Sequence, residues 1–373
     1  MANLVLYRRY RPQTFGEFIG QEYVIKTITN AILSKQVSHA YLFSGPRGSG
    51  KTTLARLLAK AVNCESPIGF EPCNKCSSCL EMNQQRAVDL IEIDAATHTG
   101  IDDVRELRDG IHFVPSKLKY KVFIIDECHQ LSKAAANALL KTLEEPPGHT
   151  IFILATTEAY KMIPTIISRC QRFDFRKLTI PEIIKKMEFI CKKEKVKIGK
   201  EALNLIAQNA RGSFRDAESL LDQVLTLCGD REITIQDIKD LLGLVEIGQV
   251  AEFTDLIIKK ETAKAIEFLN EISNRGLDLQ EFIKTFVNYQ REALVLKIDP
   301  TRNPGNLGLT KEELEKLAMQ IQNLKEQEIY RILETFLTAL NKMKYSPIPQ
   351  LPLELAIVEV TEKEDRDKRL LPP

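Results

Sequence analysis

Residues 45–52 have the spacing of a loop that cradles nucleotide phosphates. They match the pattern G-x-x-x-x-G-K-[ST], and Thr53 follows directly. In such a loop the glycines let backbone N–H groups turn toward phosphate oxygens, the lysine reaches the outer phosphates and the final hydroxyl can ligate magnesium. We therefore expect Lys51 to contact ATP and Thr52 to hold Mg²⁺. The predicted cradle residues are Gly45, Pro46, Arg47, Gly48, Ser49, Gly50, Lys51, Thr52 and Thr53.

Two adjacent carboxylates, Asp126 and Glu127, follow the apolar run at residues 122–125. In phosphate-loop enzymes an aspartate at the end of a strand holds magnesium, directly or through water. A glutamate one residue later can activate the water that attacks the γ-phosphate. An acidic pair after a strand can also act simply as a helix cap. Because Lys51 and Thr52 occur in the same chain, the catalytic interpretation is favoured.

Three further polar residues could complete this site. Thr156 and Thr157 follow the apolar run at residues 151–155. Their hydroxyls could sense the γ-phosphate or cap the following turn. Arg169 comes shortly afterwards, and on its own it is only a surface arginine.

Four cysteines lie between the phosphate loop and the run at residues 88–93, with the spacing C-x8-C-x2-C-x2-C. They are Cys64, Cys73, Cys76 and Cys79. Four thiolates close the tetrahedral shell of a zinc ion and leave no position for a substrate water. This spacing predicts a structural zinc site, with a redox dithiol or an iron–sulfur cluster as alternatives that no redox motif accompanies. The remaining cysteines, which are scattered singly and expected in the core, are Cys128, Cys170, Cys191 and Cys228.

The elements that position these residues alternate between strand and helix as far as residue 178, and are helical beyond it. Buried strands are predicted at 40–43, 88–93, 121–127 and 151–155. Helices are predicted after Gln21, at 53–62 and around Val104, Leu107 and Ile111, and then at 181–194, 200–210, 213–228, 234–242, 263–274, 279–296, 311–323 and 326–342. Ser213 is the predicted N-cap of the helix at 213–228.

These patterns predict an α/β fold with a parallel sheet, followed by two helical domains. The predicted boundaries are 1–178 for the ATPase domain, with the cysteine module at 64–79, then 179–243 for a helical lid, 244–361 for a helical third domain and 362–373 for a charged tail. Pro12 interrupts any helix in the arm at residues 7–19, so that arm is expected to be extended. Its arginines and aromatic rings could stack on an adenine or on the core.

Composition is that of an ordinary globular protein, with 373 residues, 44% of them hydrophobic and 28% charged. The formal net charge is +1, so any contact with nucleic acid has to come from a local basic face. The N-terminal residues contain no apolar run of signal-peptide length, and no run approaches membrane-spanning length. A cytoplasmic location is therefore expected.

This set of motifs resembles the γ/τ-type subunits of bacterial DNA polymerase III clamp loaders, a family of AAA+ ATPases. The resemblance covers nearly the whole chain. The four-cysteine insertion and the Ser-Arg-Cys triplet at 168–170 are its discriminating signals, since phosphate loops occur in many families. The other matching segments are 10–15, 20–22, 126–129, 137–147, 154–157 and 212–217.

The resemblance implies roles that the residues alone do not. Thr157, or its neighbour Thr156, would be sensor 1, and Arg215 would be sensor 2. Arg169 would act in trans on ATP bound by the adjacent subunit. Three residues would lie near the adenine, namely Arg11, Pro12 and Ile19.

It also implies a five-subunit assembly, joined through the third domain as a collar, that opens the sliding clamp and places it on primed DNA. The implied partners are the δ and δ′ subunits, further γ/τ copies, the β clamp, primed DNA and, indirectly, single-strand-binding protein, with no membrane. Residues 97–101, on the face turned toward DNA, are poor in basic side chains, which leaves Arg105 and its neighbours to contact phosphates. A long τ-type extension is not expected within these 373 residues.

The leading hypothesis is an ATPase subunit of the DNA polymerase III holoenzyme that uses ATP, Mg²⁺ and Zn²⁺. One alternative is a stator-like scaffold of the same fold that does not hydrolyse ATP, although Lys51, Thr52, Asp126 and Glu127 are all intact. Another is a different AAA+ DNA remodeller, such as a branch-migration motor, which would be expected to lack both discriminating signals. No second acidic constellation for nucleotidyl transfer occurs, so no polymerase site is expected in this chain.

Overall fold

The computed structural model describes residues 5–97, 110–111, 113–229, 231–242, 246–299 and 311–362. The chain forms two compact units, Met1–Ile238 and Lys239–Pro373. Among the described residues, no helix is both long enough and apolar enough to cross a bilayer. The domain boundaries predicted at residues 178 and 243 stay predictions.

A five-stranded parallel sheet forms the centre of the first unit. The strands in chain order are β1 (Ala40–Ser44), β2 (Leu90–Asp94), β3 (Lys121–Asp126), β4 (Thr150–Thr156) and β5 (Gln171–Asp174). Their order across the sheet is β2-β3-β4-β1-β5. Strands β1 and β4 are buried along their whole length, which explains why they are continuous apolar runs rather than alternating ones. Parallel pairing brings the carboxyl ends of the strands, including Ser44 and Thr156, to one edge.

Helices cover both faces of this sheet and continue beyond it. Apolar side chains of the second and third helices pack on one face, and those of the fifth and sixth pack on the other. The helices of this part of the chain are α1 (Leu6–Arg9), α2 (Glu22–Leu33), α3 (Lys51–Val62), α4 (Ser77–Asn83), α5 (Lys133–Glu144), α6 (Pro164–Ile167), α7 (Ile180–Glu194), α8 (Lys200–Asn209), α9 (Phe214–Cys228) and α10 (Ile235–Leu242).

In the described residues of the second unit, the regular secondary structure is all helical. Its helices after α10 are α11 (Ile247–Ile258), α12 (Thr262–Asn274), α13 (Leu279–Ile298), α14 (Lys311–Ile321), α15 (Glu326–Met343) and α16 (Leu351–Thr361). Its core contains a cluster of phenylalanine rings, with Phe253 edge-on to Phe286 at 5.0 Å between centroids. Of the helices in this unit, the sequence prediction missed α11 and α16. The sequence of α16 is apolar nearly all round and has no clear helical period.

The N-terminal arm differs from the prediction over its first residues. Leu6–Arg9 forms one helical turn, and Leu6 is buried. Pro12 would clash with the carbonyl of residue 8 only in a helix that continued past it, so a turn that ends at Arg9 avoids the clash. Some predictions lie outside the described residues: positions 363–373 of the predicted tail, positions 98–101 of the segment expected to face DNA, Arg105, and the predicted helical positions 104 and 107.

Candidate nucleotide site and cysteine module

The phosphate loop joins the end of β1 to the start of α3. Lys51 begins α3 and is only 6% exposed. Its Nζ donates to the carbonyl oxygens of Gly45, at 2.7 Å, and Pro46, at 2.9 Å. Burial lowers the pKa of Lys51, whereas the carboxylates of Glu127 and Asp126 raise it. The loop is therefore closed around its own lysine, whose ammonium group is held by two backbone carbonyl oxygens of the loop.

Gly48 brings the phosphate loop into direct contact with the first turn of α9. Its φ is +73°, and a Cβ at this position would lie 1.9 Å from Ser213 Oγ. The N–H of Phe214 donates to the carbonyl of Gly48 at 3.1 Å. Ser213 Oγ accepts from the N–H of Asp216, which confirms the predicted N-cap. The start of α9, with Arg215 in its first turn, is therefore fixed against the loop.

Two oxygen ligands suited to magnesium meet beside this loop. The Thr52 hydroxyl donates to Asp126 Oδ2 at 2.6 Å, although the residues belong to α3 and β3. Asp126 Oδ1 accepts from the N–H of Glu127 at 3.0 Å. Hydroxyl and carboxylate oxygens are ligands that Mg²⁺ accepts together with phosphate oxygens and water. The pair thus fits the predicted site for magnesium with ATP.

The two threonines at the end of β4 face different partners. Glu127 Oε2 accepts from the Thr157 hydroxyl at 2.9 Å and from the Thr157 N–H at 3.3 Å. Thr156 is fully buried, and its Oγ1 lies 3.0 Å from His129 Nδ1. Thr157 is therefore the threonine in contact with the carboxylate expected to activate water.

A recess of about 60 Å³ lies beside the phosphate loop and shares residues with the larger cleft over it. Arg11, Pro12 and Ile19, predicted to lie near the adenine, line this recess together with Thr53. Arg215 and Arg47 line the larger cleft, and the Arg215 guanidinium lies 5.0 Å from the centre of the Tyr7 ring. Four further lining residues were not predicted, namely Glu17, Lys186, Phe214 and Glu218, and the recess is also lined by Tyr7 and Phe18 of the arm.

Two of these unpredicted residues form a buried charged pair between α7 and α9. Lys186 Nζ lies 4.0 Å from Glu218 Oε1 and donates to the carbonyl of Tyr10 at 2.6 Å. Burial raises the pKa of Glu218 to about 7, although the nearby Lys186 lowers it. Burial also lowers the pKa of Lys186. Charged residues on two amphipathic helices give no spacing signal, so sequence patterns do not reveal the pair.

Arg169 is engaged with its own chain. It forms an ion pair with Glu144 and donates to the carbonyl of Thr165 at 2.7 Å. The side chains of Arg169 and Glu144 are 31% and 48% exposed. An ion pair this exposed stabilises the fold by at most about 1 kcal/mol, so a stronger partner could displace it.

The four-cysteine cluster is assembled as predicted, with its sulfur atoms all within 4.8 Å of one another. Cys73 Sγ accepts from the N–H groups of Cys76, at 3.3 Å, and Lys75, at 3.5 Å. Those hydrogen bonds stabilise the thiolate and lower the pKa of Cys73 to about 6. Zn–S bonds of about 2.3 Å in a tetrahedron need sulfur atoms roughly 3.8 Å apart, and Cys73 Sγ is 4.0 Å from Cys79 Sγ. The donor set therefore fits zinc.

Lys60, near the other end of α3, connects this module to the N-terminal arm. Its Nζ donates to Gln13 Oε1 at 2.9 Å, Asn74 Oδ1 at 2.7 Å and Asn83 Oδ1 at 2.9 Å. Sequence analysis missed this residue. Its position three residues after Leu57, on the apolar face of α3, was an available signal.

Known families account for consecutive parts of the chain. The matching models are described as "DNA polymerase III, delta subunit" at residues 20–179, "DNA polymerase III clamp loader subunit, ATPase lid domain" at 182–230 and "DNA polymerase III subunits gamma and tau domain III" at 233–370. A "DNA polymerase III subunit gamma" from Buchnera aphidicola subsp. Acyrthosiphon pisum is 36% identical, over 95% of this chain and 98% of its own length. The chain belongs to the DNA polymerase III γ/τ family.

Longer members of the γ/τ family match as well. "DNA polymerase III subunit tau" of Bacillus subtilis is 42% identical over 100% of this chain, which spans 66% of that relative. The corresponding Escherichia coli subunit is 36% identical over 96% of this chain, which spans 55% of it. Among solved structures, the Thermotoga maritima RuvB branch-migration motor aligns with a TM-score of 0.46 and 22% identity, covering 88% of this chain and 90% of its own. That structural score is too low to support any inference.

The resemblance inferred from the sequence is confirmed, and so is the fold class. The γ/τ-family chain has a phosphate-loop parallel sheet with an inserted four-cysteine module, followed by a helical lid and a helical third region. The two discriminating signals, the cysteine spacing and the triplet at 168–170, led to the right family. The roles of individual site residues stay predictions.

Proposed function

We propose that this γ/τ-family chain is an ATP-hydrolysing subunit of a bacterial clamp loader, which opens the ring-shaped sliding clamp and places it on primed DNA in the cytoplasm. One observation carries the proposal. Lys51, Thr52, Asp126 and Glu127 meet at the carboxyl edge of the sheet, with Thr157 bonded to Glu127. These are the groups that ATP binding and hydrolysis need, and a scaffold would not require them.

Each of these groups has a distinct part in the proposed reaction. Lys51 leaves the carbonyls of Gly45 and Pro46 and binds the outer phosphates. Thr52 and Asp126 would hold the magnesium ion that accompanies ATP, and that ion would neutralise charge on the phosphate oxygens. Glu127 accepts a proton from the attacking water, and hydrogen bonds from Thr157 orient its carboxylate.

Nucleotide binding is proposed to reach the lid through α9. The adenine would occupy the recess beside Arg11, Pro12 and Ile19. Arg215 would then contact the phosphates from the first turn of α9, which Gly48 already holds against the phosphate loop. A nucleotide that reshapes the loop would therefore also move the lid helix.

Hydrolysis is proposed to depend on assembly. Arg169 would leave Glu144 and enter the ATP site of an adjacent subunit, where an arginine can raise the rate by about 10³ to 10⁵. The proposed neighbours are δ, δ′ and further γ/τ copies, joined through the helical region after residue 243. The cysteine module, loaded with zinc, would serve a structural role.

The decisive experiment measures ATP hydrolysis by the chain assembled with δ and δ′, with and without the sliding clamp and primed DNA. We expect stimulation by clamp and DNA together, and none when every copy carries Lys51→Ala. A complex that loads clamps without hydrolysing ATP would support the scaffold alternative, whereas stimulation by branched DNA without a clamp would support a remodelling motor.

A second arrangement of the same complex tests the action of Arg169 in trans. Arg169→Ala is placed in one subunit and Lys51→Ala in another, and hydrolysis is followed at each remaining site. The silent site should belong to the neighbour that Arg169 faces. Loss confined to the subunit that carries Arg169→Ala would contradict the proposed role.

A further inference from the structure

A histidine beside the two carboxylates of β3 has no part in the mechanism above. His129 lies in the short 3₁₀ helix Cys128–Gln130, and its side chain is 7% exposed. Its Nδ1 is 3.0 Å from Thr156 Oγ1 and 3.4 Å from Glu127 Oε2. Its Nε2 is 3.1 Å from Glu158 Oε2. The ring is therefore enclosed between one carboxylate of the ATP site and one from the loop after β4.

Contacts beyond β3 must determine where the Glu127 carboxylate points. Glu127 has φ +46° and ψ +41°, a left-handed conformation that is uncommon for residues other than glycine. Three groups approach the same carboxylate oxygen, Oε2, namely the hydroxyl and N–H of Thr157 and the ring of His129. The orientation of Glu127 is thus tied to the segment at residues 156–158.

The hydrogen bonds around the ring indicate which nitrogen carries the proton. Glu158 accepts from Lys161 Nζ at 2.7 Å and from the Tyr160 hydroxyl at 2.5 Å, which keeps it ionised and able to accept from His129 Nε2–H. Thr156 Oγ1 accepts from the N–H of Glu158, so its own proton can be donated to His129 Nδ1. The hydrogen-bond partners of the ring therefore assign the tautomer with the proton on Nε2.

That tautomer explains the geometry at Glu127. In that tautomer Nδ1 accepts from the Thr156 hydroxyl and has no proton to offer to Glu127 Oε2. Glu127 therefore takes its two hydrogen bonds from Thr157. At the same time the ring holds Thr156 and Glu158, the residues on either side of Thr157. Both effects fix Thr157 as the partner of Glu127.

We propose that His129 is a positioning residue for ATP hydrolysis, which holds the segment at 156–158 so that Thr157 orients the Glu127 carboxylate. The role rests on the proposed function, because it requires Glu127 to activate water. His129 itself touches neither ATP nor the attacking water in this scheme. Its loss should therefore affect the rate of the chemical step rather than nucleotide binding.

The test compares three substitutions in the full chain assembled with its partner subunits. His129→Leu removes both hydrogen bonds, His129→Gln keeps a donor that can reach Glu158, and Glu158→Gln keeps the shape of the accepting side chain without its charge. For each, kcat and KM for ATP are measured with equilibrium ATP affinity and thermal unfolding. We expect His129→Leu to lower kcat by about 10- to 100-fold, as small misplacements of catalytic groups do, with ATP affinity within about threefold of wild type.

Two further comparisons distinguish a positioning role of His129 from a general effect on stability. His129→Gln should recover much of the lost kcat. His129→Leu combined with Glu158→Gln should be little worse than His129→Leu alone, because both changes act on the same connection between residues 129 and 158. The proposal is overturned if His129→Leu has normal kcat, or if kcat, ATP affinity and thermal stability fall together. If His129→Leu does not fold, a normal kcat for Glu158→Ala, which breaks the same connection from the other side, overturns it.

Two outcomes distinguish failure of this inference from failure of the function on which it rests. If wild-type complex hydrolyses ATP, Glu127→Gln abolishes that activity and the His129 variants are unaffected, only the positioning role fails. If wild-type complex binds ATP without hydrolysing it, the proposed function fails and the positioning role fails with it.

Discussion

The two ends of α3 each bury a lysine, and the lysines have different kinds of partner. Lys51, in the first turn, donates to two backbone carbonyls of the phosphate loop. Lys60, in the last turn, donates to three side-chain amide oxygens. Burial lowers the pKa of both lysines. The two ends of one helix thus each bury a lysine, but with different kinds of hydrogen-bond partner.

In the proposed function Lys51 exchanges its partners for a ligand, whereas Lys60 connects three segments of the chain. The carbonyls bound by Lys51 belong to the loop that a phosphate would enter, so the lysine can exchange them for a ligand. The three partners of Lys60 come from the N-terminal arm, the cysteine module and α4, and a lysine that released them would loosen all three. Burial of a charge therefore does not by itself mark a catalytic group; the nature of its partners does.

We expect the largest effect on stability from loss of the predicted zinc site, which lies near Lys60. Four thiolates at this spacing can supply about 10–16 kcal/mol of apparent free energy of zinc binding. We expect elemental analysis of the reduced protein to find one zinc per chain. Cys76→Ser should lose the metal and lower the thermal unfolding temperature, and Cys228→Ser, outside the cluster, should retain it.

Two results would change the interpretation of the cysteine module. Wild-type protein without zinc would exclude the structural metal site. If Cys76→Ser kept the fold intact but stopped ATP hydrolysis, the Lys60 end of α3 would have a direct role in catalysis. The two ends of α3 would then no longer differ in function.

Glu127→Gln tests the chemistry at the Lys51 end. The amide keeps the size of the side chain but cannot accept the proton of the attacking water, so kcat should fall by about 10² to 10⁴. Equilibrium ATP binding should change little. A normal hydrolysis rate for Glu127→Gln in an assembled complex would show that another group activates the water.

Matched methionine substitutions compare the two lysines directly. Lys60→Met keeps the apolar stem but leaves three amide oxygens without their donor, so the free energy of unfolding should fall by about 2–4 kcal/mol. Lys51→Met should instead lower ATP affinity at least about tenfold, with a smaller loss of stability. Chemical denaturation and equilibrium ATP binding on both variants make the comparison. Equal stability losses, or an equal loss of ATP affinity, would remove the distinction.

Local sequence patterns were sufficient for the parts of the site that are contiguous or lie at strand ends. The phosphate loop is one continuous motif, and parallel pairing necessarily brings Asp126 and Thr157 to the edge where the loop lies. The cysteine cluster was predicted for a similar reason, because all its ligands come from one segment of 16 residues, Cys64 to Cys79.

Contacts between distant segments could not be predicted in the same way. Lys60 meets Gln13 across 47 positions, and Lys186 meets the carbonyl of Tyr10 across 176. Which polar side chains meet inside the fold depends on the packing of whole helices, and no local period encodes it. The pairing of Arg169 with Glu144 belongs to the same class, because the two residues are 25 positions apart.

Lys186 and Glu218 extend the comparison to a third buried lysine, one whose partner can itself ionise. Burial raises the pKa of Glu218 from 4.5 to about 7 in the folded chain. The stability that its protonated form contributes is therefore fully present below pH 4.5 and is lost as the pH rises through 7. From this residue we expect the free energy of unfolding to fall by about 1 kcal/mol between pH 6 and pH 8.

Glu218→Gln should remove that fall, because an amide of similar shape does not titrate. Denaturant unfolding of wild type and variant at pH 6, 7 and 8 gives the difference between them, which cancels groups that titrate identically in both. Lys186→Met should make the fall with pH steeper, since the ionised Glu218 would then have lost its cation. Lys60→Met should leave the pH dependence near wild type, because amide oxygens do not ionise. Parallel stability curves for wild type and Glu218→Gln would mean that Glu218 does not titrate in this range, and the pair would then resemble the Lys60 end of α3 rather than differ from it.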